Sequence, residues 1–313
     1  MNTINVIIPK RMKGLRLDFA LAEMLPSFSR SKVTSWIKSK DALISSQSFK
    51  PKDKAIGNEV ISLKFNLKQN NNWVAEKIPL NIIFEDDDII VINKQFGLVT
   101  HPGAGNWSGT LANALLYYNS SLSKLDRAGI VHRLDKNTSG LMVISKNIKS
   151  QKFLVEQLQS RSVEREYSAI VYGHMISGGS IIEPIGRDSK DRVKQTVLVN
   201  GKDATTHYRA IDRFKSHTHV KAILETGRTH QIRVHLSHIG HPLIGDPVYG
   251  GRARFPKKAS QELKDGLINF QRQALHSKKL TLTHPVTGKS MTWKADLPED
   301  MEELLNILIK HDS

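Results

Sequence analysis

Hydrophobic residues near the N-terminus recur at the spacing of an α-helix. A first helix would bury Leu17, Ala20, Leu21 and Met24. A second would bury Val33, Trp36 and Ile37 and expose Arg30, Lys32, Lys38 and Lys40. Short strand-like pieces follow as far as Phe65, so residues 1–70 are predicted to form a compact module. Its basic helix face indicates RNA binding, while an ordinary solvated surface would show the same pattern.

The hydrophobic pattern changes beyond residue 70. A polar, aperiodic stretch at 68–73 predicts a linker, taken as residues 71–77. Two apolar runs at 82–84 and 89–92 then flank an acidic turn and predict a β-hairpin. Further strands are predicted at 141–145, 166–171, 179–185, 204–212 and 219–225, and helices at 110–118 and 229–239. Because turns separate most strands, we expect an α+β domain with a mixed, mainly antiparallel sheet over residues 78–313.

The charge balance of the chain indicates which kinds of molecule it binds. Of 313 residues, 46 are Lys or Arg and 30 are Asp or Glu, which gives a formal net charge of +16. Such a charge attracts polyanions at long range. Nucleic acid is favoured over a membrane surface because no basic amphipathic helix with a long apolar face stands out. No apolar run approaches the length of a membrane span, so we expect no membrane association.

Cysteine is absent from the sequence. Disulfides, thiolate chemistry and cysteine-ligated zinc are therefore excluded. The absence of cysteine fits a reducing compartment, and the first residues contain no apolar stretch suited to a signal peptide. We therefore expect a cytoplasmic protein.

Residues 129–140 mix charge with turn residues between two short apolar pieces. The segment contains His132, Arg133 and Asp135, which predicts a loop that projects a carboxylate. The alternative is a structural turn in which Asp135 accepts hydrogen bonds from neighbouring backbone amides.

Two later segments combine aromatic and basic residues in a similar way. The strand at 165–172 places Tyr167 either in the core or as a platform on which a base stacks. In residues 225–235, the chain is predicted to turn at Gly227 and to start a helix holding Arg228 and Arg233. Arginines at a helix start favour anions, and surface salt bridges are the alternative explanation.

Together these segments resemble the motifs of the RluA-type pseudouridine synthase family. His-Arg-Leu-Asp followed by Thr-Ser-Gly within 132–140 matches the family signature, and the other two segments follow in the expected order. The resemblance extends through residues 101–105, 241–251 and 273–276 and covers nearly the whole chain. Residues 16–18 and 29–31 resemble an S4 domain, whereas Ser-Ser-Gln at 45–47 departs from the Asn-Gly turn usual there.

The resemblance implies an enzyme that isomerises uridine to pseudouridine in RNA. It implies Asp135 as the nucleophile, Arg233 as its salt-bridge partner and Tyr167 as a residue that stacks on the target base. Residues expected to contact RNA are Arg133, His132, Arg228, Arg30 and Lys32. An isomerisation needs no metal and no cofactor. The expected substrate is large-subunit (23S) ribosomal RNA or the large-subunit precursor, bound by a monomer. Attack at C1′, attack at C6 and elimination to a glycal remain open.

Three other functions compete with this interpretation. They are a synthase acting on tRNA or another structured RNA, a noncatalytic RNA-binding ribosome-assembly factor, and a nucleobase glycosylase. Isomerisation leaves the mass of the RNA unchanged, whereas a glycosylase releases free base. The histidine pairs His217 with His219 and His230 with His235 do not indicate a metal site, because the sequence has no HExxH motif and no converging third ligand stands out.

Overall fold

The chain forms two compact units, Met1–Asn72 and Trp73–Ser313. The computed structural model describes residues 2–25, 28, 30–38, 42–44, 47–65, 73–103, 105–191 and 193–312. Ser29, Lys40, Ser45 and most of the polar stretch at 68–73 lie outside these residues. Within the described part of the chain, no helix is long and apolar enough to cross a membrane.

The first unit contains a four-stranded sheet and two helices. Its elements are β1 (Asn2–Ile7), α1 (Leu17–Met24), α2 (Arg30–Lys38), β2 (Ala42–Ile44), β3 (Gln47–Ser48) and β4 (Val60–Phe65). The strands lie in the order β1-β4-β2-β3. Both predicted helices are confirmed, since Leu21 of α1 and Val33 and Ile37 of α2 are buried in one apolar core.

The second unit contains most of the strands. Its elements are β5 (Ile82–Glu85), β6 (Ile89–Lys94), α3 (Leu111–Tyr118), β7 (Ser139–Ser145), α4 (Ile148–Gln159), β8 (Glu164–Tyr172), β9 (Gly179–Ile182), β10 (Ile185–Arg187), β11 (Gln195–Val197), β12 (Thr205–Arg213), β13 (His217–Leu224), α5 (Gln231–His238), α6 (Gln261–Asn269), β14 (Leu275–Thr283), β15 (Ser290–Lys294) and α7 (Glu299–His311).

Nine of the described strands form one sheet in the order β5-β6-β7-β14-β8-β13-β12-β9, with β15 paired to β14. Every described pair in it is antiparallel except β7 with β14. The predicted mixed, mainly antiparallel α+β fold is therefore confirmed. Successive residues of a strand point to opposite faces, and in β6 Ile90 and Ile92 join one core while Ile89 and Val91 join another.

Two predicted boundaries differ from the structure. The predicted strand at 179–185 is two strands, because Pro184 has no backbone N–H and β10 leaves the large sheet to pair with β11. Residues 73–77 of the predicted linker belong to the second unit. Trp73 packs against its main core, and the Asn113 side chain donates a 2.7 Å hydrogen bond to the Val74 carbonyl.

Candidate active site

A loop that enters β7 presents Asp135. The His132 imidazole pins this loop, because its Nε2 accepts a 3.0 Å hydrogen bond from the Val143 amide of β7. Burial lowers the pKa of His132 to about 3, so the ring is neutral and keeps this acceptor. After Asp135 the chain turns, and the Thr138 amide donates to the Asp135 carbonyl at 3.1 Å. His132, predicted to contact RNA, therefore uses Nε2 to hold the loop.

Asp135 and Arg233 form an ion pair. The Asp135 side chain is 15% exposed, and its Oδ2 accepts a 2.9 Å hydrogen bond from Nη1 of Arg233. Arg233 is a buried residue of α5. The structure thus contains the pair that the resemblance implied, at the rim of a buried region.

Asp246 also binds Arg233 and was missed from the sequence. Nε of Arg233 donates to Asp246 Oδ2 at 2.7 Å and Nη2 to Oδ1 at 2.9 Å, so the planar fork of the arginine is used on this carboxylate. The amides of Val248 and Tyr249 also donate to Asp246 and, with Arg233, lower its pKa. The sequence signal was a lone aspartate after Leu243-Ile-Gly in the 241–251 segment.

Tyr167 lies in β8 and is buried with Ala169 and Val171 in the main core. Burial raises the pKa of Tyr167, and the negative charge of Asp135 raises it further, so the hydroxyl is protonated. The side chain is therefore a core residue and a neighbour of the carboxylate, and its role as a stacking platform stays a prediction.

Lys94 is a second site residue that the sequence did not indicate. It is buried at the end of β6, and Nζ donates to the carbonyls of Gln95 at 2.9 Å, Leu98 at 2.9 Å and Lys136 at 3.2 Å. Burial lowers the pKa of Lys94 to about 7, and the charge of Asp135 opposes this shift. Lys94 ties two loops together beside the carboxylate. A single lysine after an apolar strand resembles an ordinary strand end, so no pattern marks it.

The remaining predicted RNA contacts belong to three different segments of the chain. Arg133 is exposed beside Asp135 in the chain. Burial lowers the pKa of the nearby His230, and the charge of Arg133 adds to this shift. Arg228 was predicted to lie on the helix, but it precedes α5. Its amide donates a hydrogen bond to the Gln231 side chain, and its own side chain donates one to the Asp203 carbonyl. In the first unit, Arg30 contacts Asp18 at 3.2 Å, and Lys32 belongs to α2.

One group of described side chains has the spacing of metal ligands, Asp86, Asp88 and His284. Their atoms are engaged with one another and with the backbone. His284 Nε2 lies 2.8 Å from Asp86 Oδ2, while Asp86 Oδ1 accepts from the amides of Asp88 and Ile89. The group therefore fastens the acidic turn between β5 and β6.

The site as a whole is a carboxylate held by a buried arginine next to a buried tyrosine. A family model described as RNA pseudouridylate synthase matches residues 88–238, which include these three residues. The chain belongs to this family and is an isomerase that acts on RNA.

The relatives cover almost the full chain. It is 49% identical over 306 residues to the ribosomal large subunit pseudouridine synthase D of Yersinia pestis, covering 97% of this chain and 94% of the relative. Identity to the protein of the same name in Escherichia coli K12 is 48% over the same shares. Among solved structures, human RNA pseudouridylate synthase domain containing 4 matches with a TM-score of 0.57 and 27% identity, covering 74% of this chain and 94% of that one.

Proposed function

We propose that Asp135 is the nucleophile of the isomerisation, that Arg233 holds its carboxylate in place, and that Tyr167 lies against the target uracil. The observation that carries this assignment is the Asp135–Arg233 ion pair, with the arginine fixed from behind by Asp246. A carboxylate must be ionised to attack, and a neighbouring guanidinium favours that form.

The chemistry required of these residues is limited. The bond from uracil N1 to ribose C1′ breaks, the base turns, and C5 bonds to C1′; N1 gains a proton and C5 loses one. The Tyr167 ring offers a stacking face, and the ionised Asp135 is the group that bonds to substrate. The uridine has to leave its helix to reach the partly buried Asp135. The exposed Arg133 is proposed to occupy the space left behind or to hold the backbone.

The proposed substrate is ribosomal RNA of the large subunit or its precursor. Two relatives named for that substrate are 48–49% identical over 97% of this chain. The alternative substrates are a tRNA and another structured RNA. Each would present to the enzyme a shape different from that of ribosomal RNA. We propose that the enzyme acts as a monomer in the cytoplasm.

The first unit is proposed to be an S4-like RNA-binding domain. Residues 1–72 contain 13 basic and 5 acidic residues, an excess of eight, which is half of the chain's net +16. Its buried Asp18 holds two arginines whose side chains are half exposed, Arg16 at 2.9 Å and Arg30 at 3.2 Å. One carboxylate thus orients two guanidinium groups at the surface, a suitable arrangement for phosphates. Lys32, in the same helix as Arg30, and Arg228 are the other proposed contacts.

The test is to map pseudouridine in ribosomal RNA with and without the gene, by carbodiimide labelling and primer extension. Complementation with the wild type should restore the missing stops, and Asp135→Asn should not. In vitro, Asp135→Asn should bind the RNA with near wild-type affinity but lose turnover, because the amide is isosteric and a poor nucleophile. Turnover close to that of the wild type would refute the assignment of Asp135.

A further inference from the structure

His230 has a backbone conformation that its side chain does not favour. It lies before the first residue of α5 with φ 58° and ψ 19°, in the left-handed region, and its side chain caps no amide of the helix. For a residue with a Cβ, this conformation costs about 1 kcal/mol, whereas glycine adopts it freely. A strained residue persists where its surroundings hold it, and its side chain is then the place to look for a function.

The surroundings of His230 hold the turn tightly. Gln231 anchors it on both sides: its Oε1 accepts from the Arg228 amide at 3.0 Å and from the Thr226 hydroxyl at 2.7 Å. Its Nε2 donates to the Thr205 carbonyl at 2.9 Å, which ties the turn to β12. The position of the His230 ring is therefore set by the fold and not by a cap.

The ring itself is fixed by Tyr249. Its Nδ1 lies 2.9 Å from the Tyr249 hydroxyl, and the two rings meet edge to face with centroids 5.7 Å apart. The hydroxyl oxygen also accepts a 2.9 Å hydrogen bond from the Gln195 amide. In the neutral ring, Tyr249 donates its proton to Nδ1, which leaves the ring proton on Nε2. Among the described residues, every proton of the pair except that of Nε2 then has a partner.

Nε2–H faces the proposed nucleophile. Nε2 lies 3.9 Å from Oδ2 of Asp135, the same oxygen that accepts from Arg233 at 2.9 Å. Among the described residues, no hydrogen bond or ion pair reaches Oδ1 of Asp135. At 3.9 Å the contact is longer than a hydrogen bond, and such contacts often shorten when the substrate is bound. One carboxylate oxygen is thus held from two sides, and the other is left for the ribose or the base.

We propose that His230 is a positioning residue for the isomerisation: with its ring fixed by Tyr249, it directs Nε2–H at Oδ2 of Asp135 and so turns Oδ1 toward the substrate. The inference rests on the proposed role of Asp135 as nucleophile. It makes the turn between β13 and α5 part of the active site, in addition to Arg233.

The left-handed backbone provides a clean test. His230→Gly removes the ring and relaxes the backbone, so the strain that is released offsets part of the packing and hydrogen bonding lost with the ring. Rates are compared below the melting transitions of both proteins. We expect its single-turnover rate to fall about 10- to 100-fold, the size of effect that follows when a reacting group is misplaced. The Kd for the RNA should stay within about twofold, because the ring is largely buried. Arg161→Gly is the matched control, since Arg161 has φ 61° on the exposed surface and should keep its rate.

Two further variants separate the possible outcomes. His230→Asn tolerates the same backbone conformation and keeps a donor, so it should be faster than His230→Gly. Tyr249→Phe removes only the hydroxyl, and its loss should not add to that of His230→Gly in the double variant. A wild-type rate for His230→Gly, or a change in Kd alone, would overturn the proposal. Asp135→Asn is measured in parallel: if it remains active, the nucleophile assignment has failed, and not merely the role of His230.

Discussion

At the scale of single residues, the site depends on how Arg233 distributes its hydrogen bonds. All three nitrogens of its guanidinium are used: Nε and Nη2 bind the buried Asp246, and Nη1 binds the partly exposed Asp135. The two carboxylates and the burial of Arg233 act in opposite directions, and the carboxylates raise the pKa of Arg233 above its ordinary value. The guanidinium is therefore charged at every pH at which the enzyme is folded.

Replacing Arg233 tests this arrangement. Arg233→Lys should reduce the single-turnover rate at least tenfold, because one ammonium cannot hold two carboxylates in the fork geometry. Arg233→Ala should be slower still and less stable by about 3–5 kcal/mol, since Asp246 is left buried without its partner. Rates are compared at a temperature below all melting transitions. If Arg233→Ala turned over as fast as wild type, Arg233 would be a structural residue and Arg133 would be the next cation to examine.

At the scale of elements, the loop that carries Asp135 depends on a close approach to β7. Gly129 has φ 80°, and a Cβ there would lie 2.1 Å from the carbonyl oxygen of Ser145. The two residues before it, Arg127 and Ala128, also have φ 53°. Three successive left-handed residues bring the chain onto the strand just before His132 and Asp135, so the entry to the loop has little freedom to vary.

Gly129→Ala should destabilise the protein by more than Gly240→Ala. Gly240 has nearly the same φ, 84°, but a Cβ there would meet nothing within 4 Å. The control therefore reports the backbone strain alone, about 1 kcal/mol, and the difference between the variants reports the clash with β7. Urea unfolding of both variants gives the comparison. Equal losses would mean that the loop shifts away from Ser145 at no cost.

At the scale of the whole molecule, the two units are expected to divide binding and chemistry. A chain beginning at Trp73 keeps the packing of Trp73 and the Val74 hydrogen bond, which a cut near residue 77 would remove. It should bind ribosomal RNA more weakly, choose sites less strictly and retain measurable turnover. The plot of log affinity against log salt should also be shallower, because fewer phosphates are contacted. The same affinity and salt dependence as in the full chain would refute a binding role for the first unit.

Acid should destabilise the second unit through its buried histidines. Burial lowers the pKa of His101 and His276 to about 4 and of His132 to about 3, against about 6.5 in an unfolded chain. Below pH 6.5 the unfolded state therefore binds protons that the folded state does not, and stability falls as the pH falls. Each of these histidines contributes a slope of up to about 1.4 kcal/mol per pH unit.

Urea unfolding at pH 7, 6 and 5 measures this dependence. His276→Asn removes one of the groups and should reduce the slope by about one proton, whatever it does to stability at pH 7. A free energy of unfolding that stays constant from pH 7 to 5 would contradict the expected effect.

The sequence by itself determined many of the elements up to residue 239 and the candidate residues for the chemistry. Helix and strand periods are local properties, so both helices of the first unit, the hairpin of β5 and β6, and the strand holding Tyr167 were predicted from spacing alone. The motif residues Asp135, Tyr167 and Arg233 were found by resemblance, because their residue types and order are written in the chain.

Only the tertiary structure decided which side chains meet. Asp246 lies 13 positions after Arg233, and Lys94 lies 41 positions before Asp135; neither spacing follows a helix or strand period. His230 falls within the predicted helix at 229–239, but the fold places it before the helix, in a left-handed conformation facing Asp135. Burial and hydrogen-bond partners depend on contacts between distant segments, and a pattern along one chain does not specify those contacts.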